Sequence, residues 1–80
     1  MMAGDDIHTR LRALLAEVLG APLGEGEVSR ETVPSWDSLR HVEVIFAVEE
    51  EFEVYLSKEE MVRATSLSVL VELVEAHLAA

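Results

Sequence analysis

The chain contains no cysteine, which excludes a disulfide framework, a thiolate zinc site and any thiol of its own. Basic residues are also few: six Lys and Arg stand against sixteen Asp and Glu, which gives a formal net charge of −10. A charge of this sign repels the phosphates of nucleic acids and anionic membrane surfaces, and it favours basic protein partners. We therefore expect no binding to nucleic acid.

Long apolar runs are absent as well. No stretch of the sequence approaches the roughly 20 apolar residues that cross a bilayer, so we expect no insertion into a membrane. The segment from Met1 to Asp6 lacks the basic start and apolar core of a signal peptide, which favours a cytoplasmic protein. Eighty residues suit one small monomeric domain, 1–80, with little room for a deep pocket.

Apolar spacing in the first quarter of the chain predicts one amphipathic helix. This helix should follow Asp5 and Asp6, whose carboxylates can cap free amide groups, and should end near Leu19, before Gly20 and Pro22. Its predicted apolar stripe consists of Ile7, Leu11, Leu14, Leu15, Val18 and Leu19. Glycine and proline then concentrate in residues 20–34, which predicts one long loop between the first two helices.

Two further helices are predicted in the last third of the chain. Ser57-Lys58-Glu59-Glu60 matches a capping box and predicts a short helix through about Arg63, after which Thr65 or Ser66 caps a last helix. The apolar stripe of that helix is Leu67, Leu70, Val71, Val74 and Leu78. Residues 53–56 could be briefly extended, but no stretch alternates well enough to predict a strand. The sequence thus predicts an all-α bundle of four helices, three long and one short.

The remaining helix, expected over residues 37–52, carries two apolar stripes. The first consists of Val44, Ile45, Val48 and Phe52. The second is displaced around the helix axis, at spacing i, i+3, i+7, and consists of Leu39, Val42 and Phe46. Because a helix in a small bundle buries only one face well, the second stripe is predicted to be exposed. Exposed apolar patches on small domains often mark docking surfaces.

Asp37-Ser38-Leu39 places a hydroxyl at the start of this helix, directly after Trp36. On position alone, a serine at a helix start is most often a cap. Here, however, Ser38 follows an aspartate that can itself cap, and it precedes a residue of the stripe predicted to be exposed. Amides at a helix start also favour a phosphate, so a phosphodiester on Ser38 would lie in a compatible field.

This pattern resembles the acyl carrier protein family, in which the serine of Asp-Ser-Leu opens the second helix and is esterified by 4′-phosphopantetheine. The resemblance covers nearly the whole chain in length and helix order. It is densest from Trp36 to Phe52, where Asp-Ser-Leu, the Val-Glu pair and the Glu-Glu-Glu-Phe ending recur. It implies a small bundle of acyl-carrier-protein type over the single domain 1–80.

The resemblance also implies a cofactor and a role for the serine. Ser38 would receive 4′-phosphopantetheine from coenzyme A through a magnesium-dependent phosphopantetheinyl transferase, and Asp37 would belong to the motif that the transferase recognises. The thiol of the arm would hold an acyl or aminoacyl group as a thioester. The chain itself would tether and present this cargo without catalysing a reaction.

A docking surface for partner enzymes is implied in the same way. Its apolar part would be Leu39, Val42 and Phe46, and its acidic rim Glu43, Glu49 and Glu50, facing Lys and Arg on the partners. These partners would be an acyl or aminoacyl ligase or an acyltransferase, a ketosynthase, and other tailoring enzymes. Residues 37–60 hold eight acids and two bases. A solvated helix face would explain that run, but like charges at this density cost stability, which favours a role in steering partners.

Two departures from the commonest fatty-acid carriers narrow the implied pathway. Ser35-Trp36 stands where that family often has a small pair such as Gly-Ala, and Arg40 stands where it often has an acid. The pattern looks more like stand-alone carriers of specialised pathways, including polyketide-like and amino-acid-loading systems. Trp36 is interpreted as a structural lid over the core. His41 could shield the phosphate, but we expect it to face solvent.

Histidines elsewhere in the chain do not predict a metal site. His8 and His77 are widely separated and have no companion ligands, so we interpret them as surface or core-edge residues. The acids of residues 49–53 could attract divalent cations, but the chain has no Asp-x-Asp-x-Asp-Gly loop. We therefore predict no metal-binding residues.

Two other functions are open to the same residues. A purely docking, acidic adaptor would use the same surface to bind basic partners and would leave Ser38 unmodified. A hydrolase would use Asp37, Ser38 and His41, but a triad needs a base and an orienting group that converge on the nucleophile, whereas these three occupy one helical turn. The Gly-x-Ser-x-Gly elbow is also missing, so we expect no catalytic residues.

Overall fold

The structure, a computed structural model, describes residues 3–21, 23, 24 and 26–79, and the side chains from residue 7 onward within that range. Four helices follow one another: α1 (Ala3–Leu19), α2 (Ser38–Phe52), α3 (Lys58–Arg63) and α4 (Leu67–Ala79). This confirms the predicted all-α fold with three long helices, one short helix and a long first loop.

The limits of α1 differ from the prediction at one end only. The helix begins at Ala3, before Asp5 and Asp6 rather than after them. The side chains of these two aspartates lie outside the described residues, as does Pro22, so their predicted capping and helix-ending roles do too. At the other end the helix stops at Leu19 because Gly20 takes a left-handed φ of 66°, and its N–H donates to Ala16 O over 3.0 Å.

The two C-terminal helices begin at the predicted caps. Ser57 Oγ accepts from Glu60 N over 3.1 Å while Glu60 Oε1 accepts from Ser57 N over 2.8 Å, which completes the capping box of α3. Of the two candidates for α4, Ser66 is the cap, since its Oγ accepts from Val69 N over 3.2 Å. Both helix starts were therefore predicted from the sequence.

One hydrophobic core joins α1, α2 and α4. All four residues of the first α2 stripe are buried in it, as predicted, together with the α1 residues Ile7, Leu11, Leu15 and Leu19. Leu14 and Val18 flank the core and are half-buried. The largest fully buried side chain is Trp36, only 2% exposed, which lies just before α2 and closes the core there.

The predicted stripe of α4 needs one correction. Leu67, Leu70 and Val74 are buried and Val71 is half-buried, but Leu78 is exposed. Leu78 lies one turn beyond Val74 at the end of the helix, where the described residues do not cover it. The core position next to Val74 is filled instead by Leu73, which lies three residues after Leu70 and thus on the same face.

The loop between α1 and α2 is tied to the junction between α3 and α4. Ser29 and Ser66 form an isolated antiparallel bridge, in which Arg30 N donates to Thr65 O over 2.9 Å and Leu67 N donates to Val28 O over 2.8 Å. No strand occurs in the described residues, so the predicted absence of strands is confirmed there. The bridge fixes the part of the loop that leads into α2.

The chain turns at Glu53, directly after α2, and residues 53–56 form no strand. Glu53 takes a left-handed conformation with φ 55°, and its N–H bonds back to Glu49 O.

None of the helices in the described part of the chain has both the length and the apolar character to cross a bilayer.

Candidate functional site

Asp37 caps α2, and Ser38 is the first residue of the helix. Asp37 is extended, with φ −95° and ψ −172°, and its Oδ1 accepts from Arg40 N over 2.9 Å. The aspartate therefore satisfies the free amide that a capping serine would otherwise bind. The capping interpretation thus applies to Asp37 and not to Ser38, whose exposed hydroxyl has no part in holding the helix end.

A guanidinium group lies over the Ser38 hydroxyl. Arg30 Nη2 is 3.4 Å from Ser38 Oγ, and Arg30 Nε donates to Trp36 O over 3.3 Å. Sequence reasoning did not identify Arg30, because it lies eight residues earlier, in the loop. The one available signal is that it is the only basic residue between Arg12 and Arg40.

His41 is half-buried and both of its ring nitrogens contact other parts of the fold, so the prediction that it simply faces solvent is wrong. Its Nδ1 accepts from Trp36 Nε1 over 3.1 Å, and its Nε2 lies 2.8 Å from Met61 O. Both contacts are satisfied by the neutral ring with its proton on Nε2. The buried indole N–H needs an acceptor, which the imidazole provides. The imidazole also adds a 2.8 Å contact to Met61 O, near the end of α3, which otherwise accepts only a 3.4 Å hydrogen bond from Ala64 N among the described residues.

This arrangement also bears on the hydrolase interpretation. Asp37 binds Arg40 N, and the two ring nitrogens of His41 face Trp36 and Met61. The contact of Ser38 Oγ within the described residues is Arg30, which can only donate hydrogen bonds. The three residues considered for a triad therefore do not form a proton relay.

An apolar surface follows Ser38 along α2. Its three side chains, here called the α2 patch, are Leu39 (69% exposed), Val42 (49%) and Phe46 (64%). The opposite face of the helix is buried in the core, as the division into two stripes predicts. Val62 on the short helix α3 is also exposed, and sequence reasoning did not single it out because six residues give too little periodicity to assign a face.

The three acids predicted as a rim have different surroundings. Glu43 is exposed and pairs with Arg40 over 3.0 Å. Glu50 is exposed, and no hydrogen bond of its carboxylate is found among the described residues. Glu49 is half-buried, and its Oε2 accepts from Leu56 N over 2.9 Å. One oxygen of Glu49 thus holds the turn after α2, so Glu49 has less freedom to meet a partner than the other two.

An open groove continues the α2 patch toward the end of the helix. Its volume is about 510 Å³. The lining residues are Phe46, Glu49, Glu50, Glu53, Val54 and Tyr55. Acidic and apolar groups therefore lie side by side at this end of α2, an arrangement suited to the long aliphatic stem and charged head of Lys or Arg.

The other histidines and acids that the structure describes do not form a metal centre. His77 Nε2 lies 3.0 Å from Glu60 Oε1, which links α4 to α3. The hydrogen bond from the Ser57 backbone, and then the one from His77, hold the pKa of Glu60 below its ordinary value of 4.5. Glu51 pairs with Arg10 over 2.8 Å. Within the described residues, no group of three His, Cys, Asp or Glu side chains could hold a metal ion.

A scan against the models of known protein families finds no match for this chain. The function is therefore proposed from the surroundings of Ser38 and from the resemblance carried by residues 36–52.

Proposed function

We propose that this chain is a phosphopantetheine carrier protein and that Ser38 is its attachment residue. One observation carries the proposal: the Ser38 hydroxyl is exposed at the head of α2 while Asp37 performs the capping. A serine that is needed neither for the helix end nor for the core is free to be modified. The adjacent Asp37-Ser38-Leu39 pattern is the one that resembles the attachment motif of carrier proteins.

The residues around Ser38 fit an anionic phosphodiester. The first-turn amides of α2 provide a positive field at this position, and Arg30 adds a cation within 3.4 Å of the oxygen. In the modification, Ser38 Oγ would bond to the phosphorus of coenzyme A and release its proton to solvent, while the pyrophosphate bond breaks and adenosine 3′,5′-bisphosphate leaves. When bound, the group supplies a terminal thiol, absent from this cysteine-free chain, which holds acyl or aminoacyl groups as thioesters.

The α2 patch and the acids beside it provide the surface for partners. Glu43 and Glu50 are exposed next to the three apolar side chains, so a partner with Lys or Arg around an apolar contact would be complementary. We propose the transferase, a ligase or acyltransferase, and a ketosynthase or tailoring enzyme as such partners. Tethering raises the concentration of the cargo at each of their active sites. Trp36 and Arg40 favour a specialised, fatty-acid-like or polyketide-like pathway.

The test is incubation with coenzyme A, Mg²⁺ and a phosphopantetheinyl transferase of broad specificity. The intact mass should rise by one phosphopantetheine, and peptide mapping should place the gain on Ser38. Ser38→Ala should abolish the gain. Ser68→Ala, which removes an exposed hydroxyl from α4, should not. A chain that stays unmodified while the transferase modifies a known carrier would overturn the proposal.

The alternative is an acidic adaptor that binds basic proteins without modification. The exposed α2 patch favours it to the same degree, because none of its three side chains requires a group on Ser38. The mass measurement separates the two functions. An adaptor would show no mass gain, and its binding to basic partners would be the same in Ser38→Ala.

A further inference from the structure

Arg30 is held in place from both ends of its side chain. Its backbone N–H donates to Thr65 O over 2.9 Å in the bridge that ties the loop to the α3–α4 junction. Its Nε donates to Trp36 O over 3.3 Å, and Trp36 is itself buried in the core. The side chain of Arg30 is therefore fixed at its backbone and at its guanidinium group, and Nη2 lies next to Ser38 Oγ.

The charge of Arg30 is not neutralised by the fold. Among the described residues, no carboxylate lies within ion-pairing distance of it, whereas Arg10 pairs with Glu51 and Arg40 pairs with Glu43. Its Nη1 makes no hydrogen bond there either. In a chain with a net charge of −10, the half-buried Arg30 thus has a cationic group beside the Ser38 hydroxyl that pairs with no carboxylate of the described residues.

We propose that Arg30 binds the phosphodiester carried by Ser38 and thereby positions the base of the prosthetic arm. This inference rests on the proposed function. Phosphorus bonded to Ser38 Oγ places its two non-bridging oxygens beside the group that already contacts that oxygen. A guanidinium group has five donors in a planar fork that matches phosphate oxygens, and Arg30 uses one of them on Trp36. Arg30 would bind the phosphodiester whichever acyl group the arm carries, since it would contact only the phosphate that links the arm to Ser38.

The first experiment compares unmodified and modified protein for the native chain, Arg30→Gln and Arg63→Gln. Arg63 is an exposed arginine of α3, so its substitution removes the same charge from another element. Modification should raise the thermal midpoint of the native chain by about 3 °C more than it raises that of Arg30→Gln. The expected difference is small because exposed ion pairs are weak, but it is measurable because in a small domain a small change in free energy moves the midpoint by several degrees. The phosphorus NMR resonance should move in Arg30→Gln. Arg63→Gln should match the native chain in both measurements.

A second experiment does not depend on the transferase. Ser38→Asp places a carboxylate in the position of the phosphodiester, and Ser38→Asn is the neutral control of similar shape. The favourable effect of the helix start on a carboxylate is present with or without Arg30, so it cancels in a double-mutant cycle with Arg30→Gln. Relative to Ser38→Asn, we expect Ser38→Asp to raise the thermal midpoint by about 3 °C more in the chain with Arg30 than in Arg30→Gln. This coupling should weaken as the salt concentration rises.

The outcomes separate this inference from the function on which it rests. No mass gain in the native chain overturns the proposed function, and this inference with it. A full mass gain with the same phosphorus resonance and the same midpoint shift in Arg30→Gln overturns the inference alone. If Arg30→Gln is not a substrate of the transferase, the cycle decides: additive effects of Ser38→Asp and Arg30→Gln overturn the inference, and coupling supports it.

Discussion

Trp36 and His41 are joined by a hydrogen bond of 3.1 Å from the indole Nε1 to the imidazole Nδ1, and their ring centroids lie 6.1 Å apart with the ring planes inclined by 28°. The indole belongs to the core, and the imidazole continues the connection to Met61 O on α3. Ser38 lies between these two residues in sequence. Its position at the head of α2 is therefore determined by a buried anchor before it and a link to a second helix after it.

Replacing His41 should cost stability. His41→Ala leaves the buried indole N–H of Trp36 without an acceptor and removes the shorter of the two hydrogen bonds to Met61 O, so we expect a loss of about 2 kcal/mol in the free energy of unfolding. Urea denaturation measures it. The matched control is His8→Ala, an exposed histidine of α1. Equal midpoints for the two variants would show that the link does not stabilise the fold.

The α2 patch should tolerate charge, whereas the buried stripe of the same helix should not. Phe46→Glu changes an exposed side chain, so we expect a stability change within about 0.5 kcal/mol together with slower transfer by partner enzymes. Val48→Glu is the matched control, because it places a carboxylate in the core and should unfold the chain. Thermal denaturation and the rate of modification by the transferase measure the two effects. A collapse of the thermal midpoint in Phe46→Glu would assign that side chain to the core.

Glu49 and Glu50 are neighbours with different expected effects. Glu49→Ala removes the acceptor of Leu56 N and should cost about 1 kcal/mol of stability. Glu50→Ala removes an exposed charge and should leave stability unchanged, but it should slow association with a basic partner, and this effect should fade as salt rises. Thermal midpoints and stopped-flow association rates measure these effects. An on-rate that does not depend on salt would exclude charge steering.

The sequence predicts most of the fold because its signals are local. Helical spacing identifies the buried α2 stripe, and a capping box of four residues fixes the start of α3. Leu78 was misplaced because periodicity assigns a side chain to a face without showing where the neighbouring helices end. The predicted core is therefore correct for the first stripe of α2, whereas in α4 it includes the exposed Leu78 and omits the buried Leu73.

The candidate site was only partly predictable for a related reason. Asp37 and Ser38 are adjacent in sequence, so their pattern can be read directly. The contact of Arg30 with Ser38 depends on the path of a loop that is anchored to the α3–α4 junction, and the role of His41 depends on a carbonyl of α3. Such contacts join residues that are distant in sequence, and no local spacing indicates them.

Glu60 should make the stability of the bundle depend on pH in the acid range. The backbone N–H of Ser57, and then His77, hold the pKa of Glu60 below its ordinary value of 4.5. A group whose pKa is lowered by folding contributes stability that is fully present above its unfolded pKa and is lost as the pH falls through its folded pKa. The contribution of Glu60 should therefore be complete above pH 4.5 and disappear progressively below it.

Thermal midpoints of the native chain and of Glu60→Gln across the acid range measure this contribution. The midpoint of the variant should fall less steeply below pH 4.5, since the amide has no proton to gain. Glu59→Gln, which changes an exposed neighbour on the same helix, should keep the native slope. Glu60→Gln keeps the other hydrogen bond of the capping box, from Glu60 N to Ser57 Oγ. The difference in slope between the two curves therefore reports on the carboxylate alone. Parallel curves for the native chain and Glu60→Gln would mean that this carboxylate does not couple proton binding to folding.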